Sequence, residues 1–168
     1  MNRNTKIILL VVGFVCVIPV AFFSFSKLGE IYRLFNPYLD QEIAGPTIVS
    51  SEWLEIVPKK PLKVERQIQM IVLDLDKSIT LERDGAGLVL PDGSVVTPEV
   101  QIIGDDGKTY SLNHPSSWSN PQTGTTYAEF SLPDLPKDRA YSKVRIRADK
   151  PVRCKRIFWR NYNQWDVS

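Results

Sequence analysis

Residues 100–112, VQIIGDDGKTYSL, decide the fold class of this chain. Apolar and β-branched residues on both sides of the Asp106-Gly107 pair have the composition of two short strands. An Asp-Gly pair is a strong β-hairpin signal, because the two-residue turn requires positive φ at both of its central positions. The same pair recurs at residues 84–85 and 92–93, so the sequence predicts several hairpins.

The region from residue 62 onward has no stretch of ten or more residues with helical periodicity, and its apolar runs are short. Such a series of short runs, without internal repeats, is typical of two antiparallel sheets packed face to face. We therefore predict an all-β fold, a jelly-roll-like two-sheet β-sandwich, over residues 62–168. The predicted strands are residues 67–75, 78–82, 87–90, 95–103, 108–112, 125–132, 141–148 and 154–159.

The hairpin of residues 100–112 is followed by a polar loop with Trp118, by the predicted strand YSKVRIR at residues 141–147, and by the apolar run RIFW at residues 156–159. This order of segments resembles the galactose-binding-like β-sandwich, a family of discoidin and carbohydrate-binding-module type. The resemblance covers at most residues 62–165 and implies the sandwich fold and the general role of a binding module. The chain lacks the cysteine pair that often joins the ends of a discoidin domain, and no binding residue of the family is carried over.

The amino-terminal segment predicts a membrane anchor. Residues 7–25, IILLVVGFVCVIPVAFFSF, hold no charge, and as a helix they would be about 28 Å long, close to the roughly 30 Å of a bilayer's hydrocarbon core. With Arg3 and Lys6 before the span, we predict a cytoplasmic tail over residues 1–6, a transmembrane helix over residues 7–26 and an extracytoplasmic remainder. This arrangement is a single-pass protein of the cell membrane. The alternative is a cleaved signal peptide ending near Ser26.

Residues 27–61 predict a juxtamembrane helix and a linker. Apolar side chains from Leu28 to Phe35 recur at approximately helical spacing, and Asn36-Pro37 ends the pattern. Three prolines and a glycine within residues 45–61 exclude a long helix there, and we expect a linker that contains one strand around residues 47–57. The helix could contact a partner membrane protein or simply rest on the lipid interface.

Charge is distributed unevenly along the 168 residues, although the net charge is only +2. Arg3 and Lys6 account for this excess, because residues 27–168 carry 19 basic and 19 acidic residues. Residues 137–160 hold ten basic residues and two acids, a local charge of +8, which acids elsewhere in the domain balance. Overall neutrality and the predicted location disfavour nucleic acid as a partner.

The basic segment predicts a binding surface. Its cations alternate with apolar residues over residues 143–148, so in a strand they share one face. If the next strand were its neighbour, six cations would form a patch for carboxylate, sulfate or phosphate groups. The alternative is a solvated face that acids such as Asp74, Asp76 and Glu82 balance. The predicted residues are Lys143, Arg145, Arg147, Lys155, Arg156 and Arg160.

Aromatic residues predict a second binding surface. Trp118 lies in a polar loop predicted over residues 113–124, and Tyr162 and Trp165 lie near the carboxyl end. Exposed rings in loops stack on sugar faces or anchor protein interfaces. Trp159 belongs to an apolar run instead and is predicted to lie in the core.

Candidate catalytic and metal-binding residues do not combine into a site. Asp74 and Asp76 follow an apolar run, as in the first motif of haloacid dehalogenase-like phosphatases, but that chemistry requires helices between the strands. We instead expect both carboxylates on the solvent side of an alternating strand. The only histidine, His114, has no nucleophile motif near it, and the loop aspartates belong to Asp-Gly turns. We predict no catalytic residue, no metal site and no cofactor.

These features predict a non-catalytic, membrane-anchored binding or scaffolding module, whose extracytoplasmic β-sandwich contacts a glycan, another anionic surface polymer or a partner protein. The alternative is an accessory subunit of a membrane protein complex, which contacts its partner through the span or the juxtamembrane helix and binds no glycan. A hydrolase is a third alternative, which loss of turnover on mutation of Asp74 would support.

Overall fold

The computed structural model describes residues 38–82, 87–120, 123–131 and 135–162, and for residues 113–118 and 120 it describes the backbone alone. Within these residues it contains thirteen β-strands and no helix. All the pairings between these strands are antiparallel. The prediction of an all-β fold is confirmed.

The strands follow the predicted runs closely. The run predicted over residues 95–103 is divided at Thr97 and Pro98 into two strands, and each of the other seven runs overlaps one strand. The strands are β1 (Tyr38–Ala44), β2 (Thr47–Val49), β3 (Leu54–Ile56), β4 (Leu62–Lys63), β5 (Ile68–Leu75), β6 (Thr80–Leu81), β7 (Leu88–Val89), β8 (Val95–Val96), β9 (Glu99–Gly104), β10 (Thr109–Asn120), β11 (Thr125–Ser131), β12 (Ala140–Arg147) and β13 (Val152–Tyr162).

Two sheets share the long strand β10. The first sheet has the order β1-β13-β5-β11-β10, with β2 also beside β13, and the second has the order β10-β9-β12-β3, with β4 also beside β12. The first part of β10, up to Leu112, pairs with β9, and the remainder pairs with β11. Strands β6, β7 and β8 form a separate three-stranded sheet.

One buried apolar cluster contains side chains from both sheets. Leu73 and Ile157 of the first sheet and Ile102 and Ile146 of the second are fully buried members of it. This arrangement is consistent with two sheets packed face to face.

The central strand β5 is buried on both faces. It lies between β13 and β11, and each residue from Gln69 to Leu75 is buried. The prediction that Asp74 lies on the solvent side is therefore wrong, since this residue is 2% exposed. Alternation disappears in a strand whose two faces are both covered. Asp76, in the turn after β5, is partly exposed.

The Asp-Gly turns that the structure describes are three-residue loops rather than two-residue turns. Between β9 and β10, the Gly107 N–H donates to the Gly104 carbonyl at 3.0 Å, and the Gly104 N–H donates to the Lys108 carbonyl at 2.9 Å. Residues 90–94 repeat the pattern with Gly93. Gly107 and Gly93 have positive φ values, of 78° and 79°. A residue with positive φ follows the type I turn in this class of three-residue hairpin loop.

The compact unit begins at Tyr38, well before the predicted domain boundary at residue 62. Strand β1 pairs with β13, and β3 pairs with β12, so residues assigned to the linker contribute to both sheets. These strands are short or polar, so their own sequences do not indicate strand structure. They become strands by pairing with longer neighbouring strands.

The prediction of a polar loop over residues 113–124 is also wrong for residues 113–120, because β10 continues to Asn120. Among the described strands, this half of β10 is the edge of the first sheet and pairs with β11 alone. Pro115 lies at a register shift on that edge, where a missing N–H is tolerated.

Among the described residues, no helix is long and apolar enough to span a membrane. The predicted tail, transmembrane helix and juxtamembrane helix, over residues 1–37, lie outside those residues.

Candidate functional site

The cations of β12 are paired with acids on neighbouring strands. Glu55 of β3 accepts from Lys143 Nζ at 2.9 Å and from Arg145 Nε at 2.7 Å. Arg147 Nη2 donates to both carboxylate oxygens of Glu99 on β9, at 2.8 and 3.0 Å. The antiparallel register places Glu55 opposite Arg145 and Glu99 opposite Arg147. Strand pairing itself therefore brings each acid to its base.

Arg156 and Arg160 on β13 are paired as well. Arg156 donates through Nε and Nη2 to Oδ2 of the buried Asp74, at 3.1 and 2.8 Å. Arg160, itself 8% exposed, makes a two-bond contact with Asp40 of β1 at 2.8 and 2.7 Å, and a further bond to Glu129 of β11 at 3.2 Å. These ion pairs join β13 to β5, to β1 and to β11 within the first sheet.

The six basic residues predicted from the sequence do not form one patch. Strand β12 lies in the second sheet and β13 in the first, with β9, β10, β11 and β5 between them in the strand order. Of the six, only Lys155 has no ion pair within the part of the chain that the structure describes.

The two aspartates of the phosphatase-like motif have separate partners. Asp74 is paired with Arg156, and its buried Oδ1 has no hydrogen-bond partner among the residues that the structure describes. Asp76 Oδ1 accepts from the backbone N–H of Ser78 at 3.0 Å and from its hydroxyl at 2.8 Å. One carboxylate supports the sheet and the other shapes a turn.

A groove at the start of β13 brings together cations without ion pairs. Lys150, Arg153 and Lys155 have no ion pair within the described residues. Two cavities of about 370 and 440 Å³ adjoin here, because Asp76 and Arg153 line both. We call these two cavities together the basic groove.

The two cavities of the basic groove differ in their walls. Lys155 and Ile48 line the smaller one. The larger one has an apolar wall of Ile79 and Leu90, and Lys150 lines it beside Asp92, Pro91 and Pro151. Counting both cavities, three cations face the two carboxylates of Asp76 and Asp92, so the groove carries one net positive charge.

Local hydrogen bonds fix the loops of the basic groove. Bonds from Ser78 hold the pKa of Asp76 below its ordinary value, and bonds from Ser94 do the same for the pKa of Asp92. The Asp92 carboxylate accepts from the Ser94 N–H at 2.9 Å. Both carboxylates therefore stay ionised at neutral pH, and each holds the backbone two residues ahead in a turn.

Cys154 lines the smaller cavity but is 4% exposed. Burial, together with the charge of Asp74, raises the pKa of its thiol to about 12. The sulfur is therefore a protonated part of the core at neutral pH and not a nucleophile.

The predicted aromatic residues lie in different places. Tyr162 ends β13 and stacks on Tyr38 of β1, with ring centroids 5.1 Å apart, so it belongs to a strand contact and not to a loop. Trp118 pairs in register with Tyr127, but its side chain lies outside the description, as does all of Trp165. Trp159 is 1% exposed, which confirms its place in the core.

Sequence reasoning missed Lys150 and Arg153 as site residues and Glu55 and Glu99 as partners. An exposed cation in a turn, such as Lys150, has no sequence signal that separates it from a paired cation. The register that pairs Glu55 and Glu99 with β12 follows from the sheet.

Among the described residues, no cluster of three or more His, Cys, Asp or Glu side chains could hold a metal ion. No protein-family model matches the sequence, and no curated protein matches it.

Proposed function

We propose that the protein is a non-catalytic binding module of the cell membrane, anchored by one amino-terminal transmembrane helix, whose extracytoplasmic domain is a jelly-roll-like sandwich of galactose-binding-like type. The ligand is an acidic glycan or a similar anionic surface polymer, bound along the basic groove. The observation that carries this proposal is the set of Lys150, Arg153 and Lys155, which border two adjoining cavities and have no ion pairs within the described residues.

The position of the groove supports the same role. It adjoins Cys154 near the start of β13, while Tyr38, the first described residue, pairs with Tyr162 at the other end. At roughly 3.3 Å per residue, Cys154 and Tyr162 are about 26 Å apart along β13. A polymer in the groove would therefore bind at the end of the sheet remote from the point where the chain enters it.

The test uses the full-length protein in lipid nanodiscs and compares dextran sulfate, polygalacturonate and uncharged dextran. We expect the two anionic polymers to bind with an affinity that falls as salt increases, because exposed charges are screened, and we expect dextran not to bind at the groove. The triple variant K150M/R153M/K155M should lose anionic-polymer binding, and the matched variant K143M/R145M/R147M should retain it. Equal loss in both variants, or none in the triple variant, would refute the proposal.

One observation favours an accessory subunit as the second candidate. Strand β1 ends the order of the first sheet, and its Tyr38 and Leu39 are exposed large apolar residues. An unpaired strand edge can accept a strand of a partner protein. A photo-crosslinker at Gln41 that captures one membrane protein in intact cells, together with no polymer binding, would favour this alternative.

A further inference from the structure

Three exposed apolar side chains lie at one corner of the domain, near the start of β1. Among the described residues, five large apolar side chains are exposed, and Tyr38, Leu39 and Val57 are three of them. Val57 is the most exposed of the five, at 70%. Exposed apolar groups that lie together mark a contact surface, because covering them removes apolar area from water.

A hydrogen bond holds the segments that carry these side chains together. The Gln41 side-chain N–H donates to the Lys60 carbonyl at 3.0 Å, which joins β1 to the loop between β3 and β4. Leu39 and Lys60 also line one cavity of about 530 Å³. Val57 precedes Lys60 by three residues in the same loop, so their Cα atoms lie within about 10 Å of each other.

Three lysines lie in the same part of the chain. Lys59, Lys60 and Lys63 are exposed, and none of them has an ion pair within the described residues. Lys60 and Lys63 line the cavity that Leu39 also lines. We call six exposed residues the apolar-basic corner, namely Tyr38, Leu39, Val57, Lys59, Lys60 and Lys63.

The nearby acids neutralise only part of this positive charge. Asp40 and Glu65 line the cavity beside the lysines. Both carboxylate oxygens of Asp40 accept hydrogen bonds from Arg160, which compensates the charge of Asp40. Glu65 has no ion pair among the described residues, so three lysines and one glutamate leave two net positive charges at the corner.

This combination of side chains fits the surface of an anionic lipid bilayer. Lysine ammonium groups are attracted to anionic headgroups, while apolar side chains beside them enter the interfacial layer. A tyrosine ring favours the same layer, because it has an apolar body and a polar hydroxyl. An anionic polymer in water would pair with the lysines but would leave Val57 in contact with solvent.

The length of chain before the described domain keeps the corner within reach of the bilayer. Eleven residues, 27–37, separate Tyr38 from the predicted transmembrane helix, and fully extended they would span at most about 40 Å. The lipid contact thus rests on the membrane anchor of the proposed function. Five of the six residues of the apolar-basic corner precede residue 62, outside the part of the chain that resembles the galactose-binding-like family.

We propose that the apolar-basic corner rests on the membrane, with its lysines against anionic phospholipid headgroups and with Leu39 and Val57 in the interfacial layer. The basic groove adjoins Cys154, about 26 Å along β13 from Tyr162, the strand partner of Tyr38. The contact therefore leaves the groove away from the lipid and open to a polymer.

The test measures lipid contact of the full-length protein in nanodiscs of phosphatidylcholine, alone or with about 30% phosphatidylglycerol. A fluorescent amino acid replaces Val57 in one sample and Val95, an exposed apolar residue of β8, in another. A nitroxide on the lipid headgroup quenches the fluorescence at close range. We expect the anionic lipid to increase quenching at position 57 about twofold and high salt to reverse the increase. Position 95 should stay at background.

Two results would overturn the proposal, namely equal quenching at positions 57 and 95, or none at position 57. The second result would leave the exposed side chains to the protein partner of the second candidate function.

Variants test the role of the lysines. K59Q/K60Q/K63Q should lose the increase in quenching that the anionic lipid causes. The matched control removes the three cations of the basic groove instead and should retain the increase, as K150Q/R153Q/K155Q. Equal loss in the two variants would show unspecific attraction of the whole domain and refute a contact at the corner. Unchanged thermal unfolding of K59Q/K60Q/K63Q shows that the fold is intact.

Incorporation into the nanodiscs separates this proposal from the proposed function. Protein that does not incorporate would overturn the membrane anchor and the lipid contact together. Incorporation without quenching at position 57 overturns the lipid contact alone. Failure of dextran sulfate to bind overturns the polymer site and leaves the lipid contact standing.

Discussion

Two groups of cations from the same basic segment have opposite environments. On β12, Lys143, Arg145 and Arg147 stand opposite acids of β3 and β9, and their charge is neutralised within the domain. Around the turn that follows, Lys150 and Arg153 have no ion pair within the described residues, and the residue opposite Arg153 on β2 is the apolar Ile48. This difference shows that the position of a cation in the sheet, and not the net charge of its segment, decides whether the cation is available to bind a ligand.

Removal of β1 tests the paired side of this comparison with the largest expected effect. A fragment beginning at Gly45 lacks Asp40 and Tyr38, so the buried Arg160 loses its two-bond partner and Tyr162 loses its stacked ring. We expect a fragment of residues 45–168 to lose about 4–5 kcal/mol of unfolding free energy relative to residues 38–168, because a largely buried ion pair is broken and β13 loses the strand β1 beside it. Urea denaturation followed by circular dichroism measures the difference, and equal midpoints would contradict it.

Replacement of Arg160 alone should have the next largest effect. R160M leaves Asp40 and Glu129 without their shared cation, and Glu129 is largely buried. We expect a loss of about 3 kcal/mol, at the lower end for a buried pair because the Asp40 side chain is 33% exposed. The matched variant R153M replaces an exposed cation that has no ion pair within the described residues, and it should change stability by less than about 0.5 kcal/mol. Similar losses of stability in R160M and R153M would show that ion pairing does not explain the contribution of Arg160.

Replacement of Glu55 has the smallest effect on stability and makes β12 resemble the groove. Hydrogen bonds from Lys143 and Arg145 hold the pKa of Glu55 below its ordinary 4.5. Because the pKa of Glu55 is lower in the folded state, the contribution of Glu55 to folding stability is complete above pH 4.5. This contribution is lost as the pH falls through the lowered pKa. E55Q should therefore reduce the pH dependence of the free energy of unfolding below pH 4.5, with only a small change in that free energy at pH 7.

The same variant frees two cations on β12. E55Q should raise the affinity of the full-length protein for dextran sulfate by a few-fold, measured at low salt and lost at high salt. Unchanged affinity would show that unpaired cations on a flat strand face are insufficient without a groove.

Most strands could be predicted because their signal is local. β-branched runs and Asp-Gly turns mark the strands from β5 to β13 in the sequence itself, and Trp159 is correctly assigned to the core. Strand β1 and the end of β10 could not be identified in this way, whereas β2 and β3 both lie within residues 47–57, where one strand was expected. The residues of β1 become a strand by pairing with β13, which is distant in the chain, and the polar end of β10 becomes a strand by pairing with β11.

The candidate sites were less predictable than the strands. The sequence located an excess of positive charge, but not the acids that neutralise most of it. Asp74 shows the reason. Its strand has the composition of a buried run, yet only the covering of both faces of β5 decides that the carboxylate is buried against Arg156.

The sequence by itself determined the all-β class, the positions of most strands and the concentration of basic residues near the carboxyl end. These properties depend on residue types at short spacing, such as turn glycines and alternating apolar residues. Only the tertiary structure decided which cations are paired, that β12 and β13 lie in different sheets, and that cations without ion pairs among the described residues border two adjoining cavities. Register and sheet order bring together residues distant in the chain, and no local pattern specifies which pairs meet.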